Sequence, residues 1–517
     1  MQRFATSAAV ILSATLSVGC TSQPSQFRSE LGSFIEKLRS SPHAPPGFVV
    51  VAVDRDQTLF ERAYGVREVA SGVAMSLDTP IYNASVTKAY TSVLAAVLDA
   101  HGELPLSTSL RDTWPEMKLP AGLDPAAITA TQLLSHTSQL SDGGLIFKSV
   151  TTGEVSAQDV PEHLQAFARR SAPGFVYSNL GPFVYSAMVE RKTGLPWRDS
   201  LARHVLEPMG LHRTSARLES VAAEVAHCHY WKDGEWHSAP AKPTPVLNAA
   251  GGMYASGRDT GRFLQAFLSD DDSAGGGISA AVLARTWQLV AEQNRDFLGM
   301  HRDGYGLGWD LGTYDDHRFV SRSGGYTGCR ALILFLPKEQ FGVAVLSVGD
   351  TGANDFNAAI VRQAIDYRVG SPQAKQRVGE RVSEYERAAA AELVRLPGPL
   401  GPAQPVANEL AREMVGAYEN ERLGLLFLTR ENAAFVLRVG LWTADLHYTG
   451  GVDFIAIERG TDTRTKLALQ RDGAGRVPTL VLDDDRFERV AIPSTPTSPS
   501  VDTTPAGSTP TPLPRAQ

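Results

Sequence analysis

The sequence predicts an α+β domain followed by a small all-β domain. Two observations set the first: apolar, β-branched runs lie near both ends of residues 28–368, and helical patterns fill the space between them. The third concerns the remainder. Composition shifts at Gly370, "LPGPLGPAQP" forms a Pro/Gly linker, and short apolar runs separated by turn residues fill 416–490.

Taken in order, "SQFRSELGSFIEKLRSS" spaces Phe27, Leu31, Phe34, Ile35 and Leu38 as one helical face. "GFVVVAVDRDQTLFERAYG" reads as two strands around a turn at Asp54. From 86 to 100, Val86, Ala89, Tyr90, Val93, Leu94, Val97 and Leu98 make a wide apolar stripe, so this helix is buried, with Gly102 as its stop. "FVYSAMVERKTG" and "TGRFLQAFLS" read as helices, "RALILFLP" and "FGVAVLSVG" as adjacent strands, and "DFNAAIVRQAIDYRVG" as a closing helix. Residues 369–411 read as a linker with a charged helix. Residues 412–491 form the β domain, with runs such as "LLFLTR", "DFIAIER" and "PTLVLDD", and the Pro/Thr/Ser-rich tail 492–517 has no means of forming a core.

The chain has 517 residues, 43% of them hydrophobic, enough for two domains with a sizeable core. Its 49 basic and 56 acidic residues give a net charge of -7 without a basic block, which argues against nucleic-acid binding and for a small-molecule or short-peptide substrate. Residues 1–20, "MQRFATSAAVILSATLSVGC", have a charged start and a short apolar run, the pattern of a secretory signal rather than a membrane span. Its end resembles a bacterial lipoprotein cleavage site, which implies lipidation at Cys20, a tether over 21–27 and a periplasmic, outer-membrane-anchored protein. Ser17 stands where that pattern usually has Leu, so plain secretion is the alternative. In the mature chain only Cys228 and Cys329 remain, which is no disulfide framework; one bridge is possible and none is predicted.

Three short motifs carry chemistry. "YNASVTKAY" places Ser85 and Lys88 one turn apart at a helix start, where Ser85 at the N-cap would feel the positive end of the dipole and a desolvated Lys88 would accept its proton. Alone, this is equally a polar helix start. "PGFVYSNLG" places Tyr177 and Asn179 two apart, on one side of an extended segment, a phenol to shuttle a proton and an amide to orient lysine or substrate. "VSRSGGYTGCRALILFLP" puts Arg322 before Ser323, Gly324 and Gly325 at the entry to an apolar strand. There backbone N–H groups can face an oxyanion and the guanidinium a carboxylate; a glycine turn with an exposed arginine is the plain reading.

In this order and spacing the three motifs resemble the serine β-lactamase and penicillin-binding-protein superfamily, in the branch with Tyr-x-Asn second: class C-like β-lactamases, esterases, D-amino-acid peptidases and D,D-carboxypeptidases. "YGVREVASG", "ITATQLLSHTSQL", "AAGGMYASGRD" and "YGLGW" extend the resemblance over about residues 28–368. It implies an antiparallel sheet flanked by helices with an all-helical subdomain, and a two-step acyl-enzyme mechanism without cofactor or metal. Ser85 is then the nucleophile, Lys88 and Tyr177 share the base and acid work, and Asn179 orients Lys88 and substrate. Arg322, Ser323, Gly324 and Gly325 line the substrate site, with the oxyanion between the N–H groups of Ser85 and Gly325. The resemblance also makes the C-terminal β domain lipocalin-like.

Arg322 departs from the Lys or His usual there, which keeps the charge but removes any proton relay and disfavours efficient β-lactam hydrolysis. Gln139 replaces a common Gly. "AHCHYW" offers His227, Cys228 and His229 to a zinc ion, but no partner cluster follows, and a strand beside the site's rim is the better reading. His136 belongs to a stretch that is structural in that superfamily.

Overall fold

The computed structural model describes residues 24–491 apart from 154, 397–399, 401–404, 433 and 462. The stretch read as a signal with Cys20, positions 21–23, most of the Pro/Gly linker and the tail from 492 lie outside the described residues. Six longer helices organise the first domain: α1 (Pro24–Arg39), α2 (Thr87–Ala100), α3 (Leu180–Thr193), α4 (Gly257–Leu268), α5 (Ala353–Val369) and α6 (Ala374–Arg395). Helix α1 begins inside the stretch read as a tether, because Phe27 joins Leu31 and Phe34 in the core while Pro24 suits a first helical turn.

Eight strands make one antiparallel sheet: β1 (Gly47–Asp54), β2 (Thr58–Gly65), β3 (Ala291–Phe297), β4 (Met300–Tyr305), β5 (Asp310–Tyr314), β6 (His317–Tyr326), β7 (Cys329–Leu336) and β8 (Phe341–Val348). Their spatial order is β3-β4-β5-β6-β7-β8-β1-β2, so β1 from the start of the domain pairs with β8 from its end. The period-2 alternation of β1 explains its unbroken apolar run. Phe48, Val50 and Ala52 face α1 and α5, whereas Val49, Val51 and Val53 join the core shared by α2, α3 and α4. A helical region lies between β2 and β3. Several of its helices have only four or five residues, among them Leu110–Thr113, Ala130–Leu134 and Trp197–Leu201.

The second domain is a closed barrel of eight consecutive antiparallel strands: β9 (Gly416–Asn420), β10 (Gly424–Glu431), β11 (Ala434–Val439), β12 (Trp442–Gly450), β13 (Asp453–Glu458), β14 (Arg464–Gln470), β15 (Thr479–Leu482) and β16 (Asp485–Val490). Pairing of β9 with β16 closes it. Tyr418, Leu426, Leu437, Phe454 and Phe487 fill it as a packed core. The helix Asn408–Met414, which straddles the boundary read at 411, adds Leu410, Ala411 and Met414 to that core. The barrel docks where the Leu441 N–H donates to the Thr152 carbonyl at 3.0 Å and the Trp442 ring meets Phe147.

Cys228 and Cys329 form a disulfide, the bridge that the sequence left possible but did not predict. Their separation of 101 residues hides the contact. The hairpin of strands Cys228–Lys232 and Glu235–Ala239 folds against the start of β7, where the His229 N–H donates to the Gly328 carbonyl at 2.9 Å.

Candidate active site

Ser85 lies in a single 3-10 turn, Ala84–Val86, ahead of α2. The position read as its cap belongs to Val86, and no side chain caps this helix. The serine hydroxyl is therefore left for the site. A two-residue strand, Ile81–Tyr82, paired with Tyr254–Ala255, delivers the chain to the turn, and the Asn83 N–H donates to the Met253 carbonyl at 2.8 Å. Ala84, at φ +45, is a non-glycine residue in left-handed backbone directly before Ser85.

Lys88 is buried, and its Nζ lies 3.1 Å from Ser85 Oγ, 2.7 Å from Asn179 Oδ1 and 2.5 Å from the Ala250 carbonyl. Two of these partners only accept. A neutral amine donating to both points its lone pair at the third, the hydroxyl of Ser85. Burial, assisted by the Arg322 charge, brings the Lys88 pKa down to about 8, against the opposing pull of Tyr177 and Asp310.

The Tyr177 hydroxyl is 3.1 Å from Ser85 Oγ and accepts from Arg322 Nη2. Burial of this hydroxyl works to raise its pKa, but the charges of Arg322 and Lys88, with hydrogen bonds from Lys88 and Ser85, outweigh it and bring it to about 8. Lysine and tyrosine thus share a range in which a single proton can move between them. Asn179 sits at the foot of α3, so residue i+2 from Tyr177 reaches the same centre.

Arg322 is buried rather than offered to solvent. Its Nε–H donates to the Ser85 carbonyl at 3.0 Å, Nη1 to Tyr305 at 3.2 Å and Asp310 at 3.3 Å, and Nη2 to Tyr177. Burial disfavours its charge, but Tyr177, Tyr305 and Asp310 more than compensate and hold its pKa above the ordinary guanidinium value. Ser323 Oγ accepts from Arg302 Nη2 at 3.5 Å. Gly324 lies hard against the turn that holds Ser85: a Cβ there would strike the Asn83 carbonyl and stand 3.0 Å from the nitrogens of Ser85 and Val86. Gly325 follows on β6, paired with Arg330.

The family profile described as Beta-lactamase matches residues 35–367, more than half of the chain. The chain belongs to this family. Over 361 residues it is 25% identical to the "Unguisins hydrolase ungD" of Aspergillus violaceofuscus, covering 63% of this chain and 62% of that protein. It is 28% identical to "Penicillin-binding protein 4" of Amycolatopsis lactamdurans over 62% of this chain and 85% of that one. It is 24% identical to the "D-alanyl-D-alanine-carboxypeptidase/endopeptidase AmpH" of Escherichia coli K12 over 58% and 78%. In fold it is similar to the octameric penicillin-binding protein homologue from Pyrococcus abyssi, with TM-score 0.57 and 18% identity, covering 89% of this chain and 99% of that one.

Around the Beta-lactamase family motifs stand His136, which the sequence read as structural, and residues whose roles it did not reveal. His136, at φ +61, accepts the Ser178 N–H on Nδ1 at 3.3 Å, and its carbonyl accepts the Val176 N–H at 2.9 Å. It therefore pins both neighbours of Tyr177. The filled Nδ1 leaves Nε2 to carry the proton, 3.1 Å from the Tyr305 hydroxyl. Burial, then the charges of Lys88 and Arg322, push its pKa well below the imidazole range, so it is neutral and positions rather than titrates. Tyr305 opens the "YGLGW" stretch, Asp310 directly follows it and Ala250 lies in "AAGGMYASGRD", so their segments were visible and their roles were not. Of the donors in the zinc reading of "AHCHYW", Cys228 is bridged, His229 Nε2 accepts from the Val69 N–H at 3.0 Å, and His227 Nδ1 faces Glu68 at 3.5 Å.

Proposed function

We propose that this chain is a serine hydrolase that cleaves an ester or amide bond through an acyl-enzyme on Ser85. The observation that carries the reading is the setting of Ser85 Oγ, with a buried amine and a phenol each at 3.1 Å. Ser85 Oγ attacks the substrate carbonyl and its proton passes to the Lys88–Tyr177 pair. The oxygen gains negative charge between the N–H groups of Ser85 and Gly325, and the leaving group departs with the proton returned by the pair. Water then repeats the sequence on the acyl-enzyme.

The guanidinium of Arg322 bears on the choice of substrate. Its donors go to Ser85, Tyr305, Asp310 and Tyr177, so a substrate carboxylate would compete with groups already bound. This favours esters and amides that need no carboxylate grip at that position. The disulfide and the leader-like first 20 residues support export, since such bridges persist in oxidising compartments. Among the described residues no helix is long and apolar enough to cross a membrane, and the proposed attachment is through a lipid on Cys20.

The test compares wild type with Ser85→Ala on p-nitrophenyl butyrate, nitrocefin, a D-Ala-D-Ala peptide and a fluorescent penicillin. Turnover of one substrate that vanishes in the variant supports the reading and selects the branch. Labelling without turnover favours a binding or sensing role, and equal inertness of both proteins on all four refutes hydrolysis of these classes.

A further inference from the structure

A guanidinium is aimed by whatever binds it, because its donors are fixed in one plane. On Arg322, Nη1 meets the Tyr305 hydroxyl and Oδ2 of Asp310, which leaves Nη2 directed at Tyr177 and Nε at the Ser85 carbonyl. Asp310 is itself fully buried. The same Oδ2 lies 3.3 Å from Nη1 of Arg302, which is also buried, while Oδ1 accepts from Gln293 at 3.1 Å with Arg295 at 3.7 Å. One carboxylate, at the start of β5, therefore stands between two desolvated guanidiniums contributed by β4 and β6, the strands on either side of it. Arg302 leads back to the motif by donating to Ser323 Oγ.

We propose that Asp310, braced by Arg302, is a positioning residue that locks the Arg322 guanidinium onto Tyr177. Without it, Arg322 keeps its charge but loses its counter-ion in a dry site, beside Tyr177, a residue that is 39% exposed. The inference rests on Ser85 being the nucleophile and Tyr177 its partner.

The groups facing Tyr177 are Lys88 from α2, Arg322 from β6, Ser85 from its turn and the His136 ring, 4.6 Å away between centroids. His136 is neutral and adds no charge. Behind Arg322 stand Tyr305, Asp310 and Arg302. Two effects of Asp310→Asn then have opposite signs. Loss of a negative charge alone favours the deprotonated lysine and tyrosine and moves their titration to lower pH. Loss of position takes Arg322 away from Tyr177, lets burial dominate and moves the tyrosine to higher pH.

Tyr177 is titrated without substrate, as the phenolate absorbance difference between each protein and its Tyr177→Phe derivative, in wild type, Asp310→Asn and Arg302→Gln. Positioning predicts an upward move of about one pH unit or more in Asp310→Asn and a smaller move of the same sign in Arg302→Gln. With whichever substrate wild type turns over, kcat/KM at pH 7 falls about tenfold to a hundredfold, mainly through kcat. Asp310→Glu keeps the charge, is expected to recover most of the titration, and with Arg302→Gln carries the test if Asp310→Asn does not fold. A downward or absent shift in the folded variants overturns the proposal. A wild type that neither turns over substrate nor labels at Ser85 refutes the hydrolase reading instead, and the phenolate titration still decides the role of Asp310.

Discussion

Replacing Tyr177 with Phe leaves the ring in place and removes the hydroxyl that touches Ser85 and Arg322. The first consequence concerns Lys88, whose pKa of about 8 reflects burial and Arg322 pulling down against Tyr177, the foremost group holding it up. Lys88 Nζ lies 5.0 Å from the Tyr177 ring centre. A full phenolate charge at that distance is worth about 3 kcal/mol at an effective dielectric of about 20, or about two pH units. Tyr177 as a residue is 39% exposed, so solvent screening reduces this to about one unit. The acid limb of kcat/KM against pH should therefore move from near 8 to near or below 7. Its plateau should fall about 10²- to 10⁴-fold, the usual worth of a positioned proton-transfer group. Steady-state hydrolysis of p-nitrophenyl butyrate across the pH range reads both numbers. An acid limb that stays in place or climbs would refute the charge balance drawn for this pair.

Three further outcomes follow from the same geometry. Gly324→Ala should abolish acylation of Ser85 and cost about 1–3 kcal/mol of stability, because its Cβ meets the Asn83 carbonyl; labelling and denaturant unfolding check this. Cys228→Ser with Cys329→Ser should lower stability by up to about 4.7 kcal/mol, the chain-entropy value for a closed loop of this length, read as a drop in Tm relative to the oxidised protein. His136→Ala frees both neighbours of Tyr177 and should reduce kcat/KM about tenfold or more, while a fold that melts cooperatively separates this from general unfolding.

Where burial is two-sided or periodic, the sequence carries the fold openly. β1, β7 and β8 are largely apolar runs because both faces are covered, α1 shows its stripe because one side is covered, and the wide apolar patterns of α2 and α5 mark helices buried over most of their surface. The short helices between 110 and 206 have too few residues to show a period, and the polar strand Ala291–Phe297 has no apolar face to announce it.

The site motifs were legible through their joint order, which resembles that of the serine β-lactamase and penicillin-binding-protein superfamily; singly, each had a plain reading. What stayed hidden depends on contacts distant in sequence. Cys228 meets Cys329 only after a hairpin folds onto β7, Asp310 lies buried between two arginines from separate strands, and Ser85 is freed from capping by a 3-10 turn. Arg322 was visible as a cation, but that its donors face inward follows from Asp310 and Tyr305, which spacing does not reveal.

The central claim is that Ser85 is the acylated nucleophile. The direct measurement is mass spectrometry of the purified protein after brief exposure to an ester or β-lactam acyl donor, followed by proteolysis. The account predicts one added acyl group on the peptide containing Ser85, absent in Ser85→Ala and much slower to form in Lys88→Met. Acylation of another residue, or equal labelling of Ser85→Ala, would contradict it.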